Sequence, residues 1–288
     1  MYQHFPRIPR LPRHRLAARV GLAALTLALM LGVITALAGA AYPTSGYAAF
    51  TALRKAPTGS TQLTWSPTNH RLTVRLWMTG LAPNSRHPAH IHTGSCARTG
   101  GVLYTLPTVY ANSAGNAAYT TTLYNVRKGI PRSGWSINVH NGPNLSPAVQ
   151  FQPIACGNIY NVNPSTRVTQ RVRVSLGAAS DANQHAWGST SMWISGRNLV
   201  VRVRVGGLAP YSAHAAHIHK GSCARQGGVV YMLKNVVANA SGYADGTTVI
   251  KGVRTIPRSG WYVNVHRSSN ISTQTGFDPI ACGNIYAR

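Results

Sequence analysis

The sequence contains no glutamate, and its only acids are Asp181, Asp245 and Asp278, all in the C-terminal half. Against these three acids stand 28 lysines and arginines, for a formal net charge of +25. A surface with this excess draws anions: anionic cell-wall polymers, anionic lipid or a small anion. Helix-turn-helix, zinc-finger and aromatic-stacking motifs are missing, so specific nucleic-acid recognition is not expected. The arginines are scattered through strand-like segments, as in Val201-Arg202-Val203-Arg204-Val205, the pattern of a solvated sheet face. No ten-residue segment after position 50 carries a helical hydrophobic period, which points away from helical fold classes.

Arg7, Arg10, Arg13, Arg15 and Arg19 precede an apolar run from Val20 to Ala41. A basic lead and an apolar stretch mark an export signal. The tail Ala36-Leu37-Ala38-Gly39-Ala40-Ala41 offers small-residue cleavage sites, yet the run is also long enough to span a bilayer. Residues 1–49 are therefore read as a signal peptide or a membrane anchor, and the protein as extracytoplasmic, secreted or anchored.

The rest of the chain is one domain written twice. Leu81-Ala82-Pro83 and the following His87-x-x-His90-Ile91-His92-x-Gly94-Ser95-Cys96 recur as Leu208-Ala209-Pro210 and His214-x-x-His217-Ile218-His219-x-Gly221-Ser222-Cys223. Ile130–Trp135 recurs at Ile256–Trp261, Val139-His140 at Val265-His266, and Pro153–Tyr160 at Pro279–Tyr286. The boundaries follow: a first domain at 50–162, a linker around Asn161–Ser165, and a second domain at 163–288. If each copy folds alone, Cys96 pairs with Cys156 and Cys223 with Cys282, a framework suited to an exported protein.

Both copies read as all-β. Strands are expected at Leu72–Met78, Gly101–Leu106, Ala117–Leu123, Trp135–His140, Asn198–Val205, Gly228–Leu233, Tyr243–Ile250 and Trp261–His266. These segments are rich in Val, Thr, Tyr and Trp and are bounded by Gly, Pro, Asn and Ser, which suggests a sandwich or barrel. On a strand, residues i and i+2 share a face. His90 and His92 then point together while Ile91 faces the core. In Trp135–His140 the apolar alternation leaves Ser136, Asn138 and His140 on the polar face. Three imidazoles on one polar face can converge on a metal, and imidazole suits copper, zinc, iron and nickel. The same arrangement recurs with His217, His219 and His266. His4, His14, His70 and His185 have no repeated counterpart.

These blocks resemble the copper/zinc superoxide dismutase family, from about residue 60 to 288. The resemblance implies two tandem Greek-key β-barrel or sandwich domains, each binding one copper. It assigns His90, His92 and His140, and then His217, His219 and His266, as copper ligands. It makes His87 and His214 structural hydrogen-bonding residues, and Cys96–Cys156 and Cys223–Cys282 intradomain disulfides. The zinc-holding histidines and aspartate of that family have no match: no histidine lies between His92 and His140 or between His219 and His266. Zinc is not expected. Pro153 and Pro279 stand where the family places its guiding arginine, leaving Arg132, Arg258 and Arg267 as nearby cations. Asn144 and Asn270 replace its acid beyond the last copper histidine. The expectation is a copper-only protein acting on superoxide or another small anion. The sequence is also similar to CHRD (chordin-type) domains, which share the His-Ile-His-x-Gly block and a strand like Tyr262–His266. That resemblance implies instead a non-enzymatic copper-binding or cell-surface module.

Overall fold

The computed structural model describes residues 48–177 and 183–287. The segment expected to be a signal or anchor lies outside these residues, except for Ala48 and Ala49, which open a strand. Among the described residues no helix is long and apolar enough to cross a membrane.

Strands alternate between core and solvent. In β3 (Arg71–Thr79), Leu72, Val74, Leu76 and Met78 are buried, while Arg71, Arg75 and Trp77 are exposed. This period of two is the pattern of a sheet with one wet face. The first half of the chain supplies β1 (Ala48–Lys55), β2 (Thr58–Ser66), β3, β4 (Arg86–Ser95), β5 (Arg98–Tyr110), β6 (Ala117–Leu123), β7 (Trp135–His140) and β8 (Pro153–Ile159). The second supplies β9 (Gln170–Leu176), β10 (Trp187–Ser195), β11 (Asn198–Gly206), β12 (Ala213–His214), β13 (Ala216–Ser222), β14 (Arg225–Met232), β15 (Val236–Val237), β16 (Ala244–Lys251), β17 (Trp261–His266) and β18 (Pro279–Ile285). The fold is all-β, with every paired strand antiparallel. A single helical turn precedes each last strand, at Ala148–Phe151 and Gln274–Phe277.

Two modules emerge from the pairing. Module 1 has sheets ordered β6-β3-β2-β9 and β5-β4-β7-β8, joined by a bridge between Cys156 and Gly177. Module 2 has a curled eight-stranded sheet ordered β14-β13-β17-β18-β1-β10-β11-β16 and a two-stranded piece, β12-β15. The orders match strand for strand, with β1 in module 2 holding the place of β9 in module 1. Each module is thus closed by a strand lying outside its own sequence copy. The strand at 48–55 opens copy one but pairs with β10 and β18, and the strand at 170–176 lies in the start of copy two but pairs with β2.

Loop chemistry explains the crossing. Only Ala56 and Pro57 separate β1 from β2. A two-residue hairpin needs positive φ at its first or both central residues, which Gly and Asn supply. Proline is fixed near −65° and alanine is strained at positive φ. The link therefore favours passing from one module to the other, where Ala56 N–H donates to Ile280 O. Glycine completes the closure. A Cβ on Gly157 would meet Ser175 O of β9 at 2.5 Å, and one on Gly283 would meet Ala52 O of β1 at 2.5 Å.

Each module has its own apolar core, the first centred on Trp65, Leu76, Ile91 and Ile137, the second on Leu199, Val203, Ile218 and Val263. The disulfides Cys96–Cys156 and Cys223–Cys282 form as the repeat implied. Between the modules, Gln226 Nε2 donates to Leu81 O at 2.7 Å, Asn116 Nδ2 to Ala224 O at 2.8 Å, and Lys55 Nζ to Ile154 O at 2.7 Å.

Candidate metal centre

Among the described residues, two groups of side chains can hold a metal ion: His90, His92 and His140, and His217, His219 and His266. Within each group the nearest ligand nitrogens lie within 4.8 Å of one another. Strand pairing produces this. In module 1, β4 and β7 are neighbours, with His90 opposite Asn138 and His92 opposite Ser136. His140 sits at the end of β7, on the same face as Ser136 and Asn138, at a register shift against β8. Module 2 repeats this on β13 and β17. Ile91 and Ile218 face the cores as expected.

Hydrogen bonds fix which nitrogen faces the centre. His92 Nδ1 donates to Gly100 O at 3.0 Å, and His140 Nδ1 donates to Phe151 O at 2.5 Å. A carbonyl can only accept, so both rings carry their proton on Nδ1 and present a bare Nε2. His92 Nε2 is buried and has no hydrogen-bond partner among the described residues, an orphan that a cation would satisfy. His90 Nδ1 then donates to His140 Nε2 at 3.1 Å. Moving that proton to His90 Nε2 would aim three lone pairs at one point. Module 2 matches: His219 Nδ1 donates to Gly227 O at 3.0 Å, His266 Nδ1 to Phe277 O at 2.5 Å, and His217 Nδ1 to His266 Nε2 at 3.0 Å. His219 Nε2 is likewise buried without a hydrogen-bond partner. Backbone carbonyls that orient the far nitrogen of a histidine are the usual support of a metal ligand. The helical turns, which sequence periodicity did not reveal, supply two of these carbonyls.

His87 and His214 do not join the triads. His87 Nδ1 donates to the carbonyl of His140 at 2.9 Å, and its Nε2 lies 2.7 Å from Ser85 Oγ. His214 does the same with His266 O and Ser212 Oγ. Each pins the backbone of the third triad residue. Burial lowers His87 to about 4 and His140 and His217 to about 4. It lowers His266 to about 3, and His90, His214 and His219 in the same direction. Neutral imidazole is the form that binds metal.

One difference between the centres lies opposite the second ligand of each triad. Tyr262, opposite His219, stacks on its ring at 5.0 Å and 20°. The matching residue in module 1 is Ser136, whose buried hydroxyl has no partner among the described residues. Tyr262 also packs with Ala56 and Cys282, tying the second triad to the crossing link and the disulfide. We expect Tyr262→Ser to weaken divalent-metal affinity at the second triad by about tenfold, the size seen when a ligand loses its orienting neighbour. Chelator competition measures this, and an unchanged affinity would show the stacking to be incidental.

Sequence reading also missed the buried polar group between the modules. Asp278 is fully buried, 4.0 Å from His87 Nε2, and burial pushes its carboxyl up to about 8. Arg267, one of the cations proposed to stand in for a guide, is buried and interacts electrostatically with Asp278. Its counterpart of Asp278 in copy one is Gln152, so only one copy carries the acid and repetition could not flag it.

The fold and centres thus define a pair of all-β modules, each with a buried three-histidine centre able to hold a metal ion. Residues 172–273 match the CHRD domain family. The matched region opens inside β9, the strand that closes module 1, so the sequence unit and the folded unit are offset by one strand. Comparison with curated proteins finds no match.

Proposed function

We propose that each module binds one copper ion, through His90, His92 and His140 and through His217, His219 and His266, and that the protein dismutates superoxide without zinc. The observation that carries this reading is the orphaned Nε2 of His92 and His219 within rings already oriented by backbone carbonyls. The strand order shared by the modules supports a Greek-key arrangement of superoxide dismutase type. When bound, copper would supply the one-electron cycle that converts two superoxide anions and two protons to dioxygen and hydrogen peroxide. Three imidazoles leave a coordination position open to a small anion. The chain contributes neutral ligands, a rigid ring orientation and a field of +25 that steers anions. Zinc on the family's pattern lacks its ligands here, since no histidine lies between His92 and His140 or between His219 and His266. Two disulfides suit the oxidising compartment that an exported protein enters.

The CHRD match favours a second reading, a non-enzymatic copper-binding surface module. One experiment separates them. Copper is counted and superoxide turnover measured on the same loaded chain, and then on His140→Ala/His266→Ala. Two coppers with turnover lost in the variant support the dismutase. Two coppers without turnover select the CHRD-like reading, and no bound copper rejects both.

A further inference from the structure

One sheet of module 1 carries no ligand histidine and turns its outer face to solvent. Register places Arg173, Gln62, Arg75 and Thr120 in one row across β9, β2, β3 and β6. Arg171 and Thr64 lie in the next row, and Ser60 and Trp77 in the row on the other side. Neighbouring strands are about 4.8 Å apart and same-face residues about 6.8 Å apart along a strand. Arg171 and Arg173 are therefore adjacent on β9, and Arg75 lies two strands, about 9.6 Å, from Arg173 across Gln62; all three are exposed. Among the described residues none of them forms an ion pair. Trp77 is 42% exposed beside them, and a depression of about 250 Å³ is lined by Ser60, Thr61, Gln62, Trp77 and Arg173.

Module 2 shows what a neutralised version looks like. Arg202 and Arg204 occupy the places of Arg75 and Trp77. Asp245 accepts from Arg202 Nε at 2.8 Å and Nη2 at 2.6 Å, and from Arg204 Nε at 3.4 Å. Asp245 corresponds to Ala118 in module 1, opposite Trp77. The same sheet position thus holds a paired cation in one module and an unpaired cation with an aromatic ring in the other.

We propose that this face of module 1 is a docking surface for an anionic polysaccharide. Guanidinium forks match carboxylate, sulfate and phosphate groups. The indole offers a flat ring for the C–H face of a sugar, and Ser60 and Gln62 offer hydrogen bonds to its hydroxyls. The exposed aromatics of this face, Trp77 and Tyr124, lie towards opposite ends of β3, and Tyr124 is already covered by Arg71; this favours sugar over nucleic acid, whose strands are gripped by successive stacking rings.

The test uses the full chain with dextran sulfate and polygalacturonate as probes, uncharged dextran as the blank, and single-stranded DNA as competitor. Because the whole protein is basic, a charge-matched control is essential: Arg127→Gln/Arg167→Gln/Arg254→Gln, three exposed arginines elsewhere. The variant Arg75→Gln/Arg171→Gln/Arg173→Gln is expected to weaken glycan binding about tenfold more than the control. Trp77→Ala is expected to weaken it severalfold at unchanged salt dependence, since it removes no charge. Equal losses in the two triple variants would reduce the binding to general charge attraction and overturn the proposal. DNA that binds more tightly through the same residues would overturn it in favour of nucleic acid.

Discussion

A chain that begins at Thr58 is expected to lose its second metal equivalent and keep its first. Strands β2–β9 complete module 1 within residues 58–176, so that module retains both sheets and its triad. Module 2 loses β1 from the middle of its sheet. β10 and β18 each lose the partner they pair with through residues 48–55. Leu53, 2% exposed, leaves the core, a deletion worth about 3 kcal/mol by itself. Two inner strands become bare edges, which also invites pairing between chains. Against a total stability of about 5–15 kcal/mol these losses are large. Ala56 goes as well, and with it part of the packing around Tyr262, which stacks on His219. Metal counting reads the stoichiometry, and amide exchange reads β10 and β18. Two retained equivalents with unchanged protection of those strands would mean that β1 does not close module 2.

The second large effect concerns acid. In the metal-free protein, stability is expected to fall steeply between pH 6.5 and about 4. Buried imidazoles are responsible: His87, His140 and His217 are lowered to about 4 and His266 to about 3, with His90, His214 and His219 shifted the same way. Unfolding returns each to about 6.5. Between the folded and unfolded values the unfolded chain binds more protons, so stability drops as pH falls. Each such histidine contributes about 1.4 kcal/mol per pH unit across its window, and several act together. Asp278 works in the opposite direction. Burial raises it to about 8, so between that value and its ordinary 3.8 the folded state holds the extra proton and gains stability as pH falls. Lys55, lowered to about 7 by burial and then by the Arg267 charge, matters only above pH 7. One carboxyl against seven imidazoles leaves the acid loss dominant. Urea midpoints at pH 7.5, 6, 5 and 4 test this. A flat midpoint from 6.5 to 4.5 would show that the imidazoles titrate freely in the folded state. Bound metal should carry the decline to lower pH, because it competes with protons for the same lone pairs.

Much of this was already legible in the chain. The repeat at 87–96 and 214–223 fixed two copies, and the recurrence of Ala-Cys-Gly fixed which cysteines pair. Alternation in segments such as Leu72–Met78 identified strands and their buried faces, because the side-chain period in a strand is two. For the same reason His90 and His92 could be placed on one face with Ile91 opposite. These readings are local, and local geometry depends on residues a few positions apart.

Partnership between strands is not local. Alternation states which face of β1 and β9 is buried but not against which module, since Ala49 and Leu53 have the same period as Val172, Val174 and Leu176. Only the folded chain decided that β1 closes module 2 and β9 closes module 1. The cue was present in Ala56-Pro57, a link that disfavours a tight hairpin, but it acquires meaning only once both modules are in place. The difference between Tyr262 and Ser136, the burial of Asp278 against His87, and the unpaired arginines on one sheet face were decided in the same way. Each depends on what a side chain meets from a distant strand, and the sequence by itself determines only which direction that side chain faces.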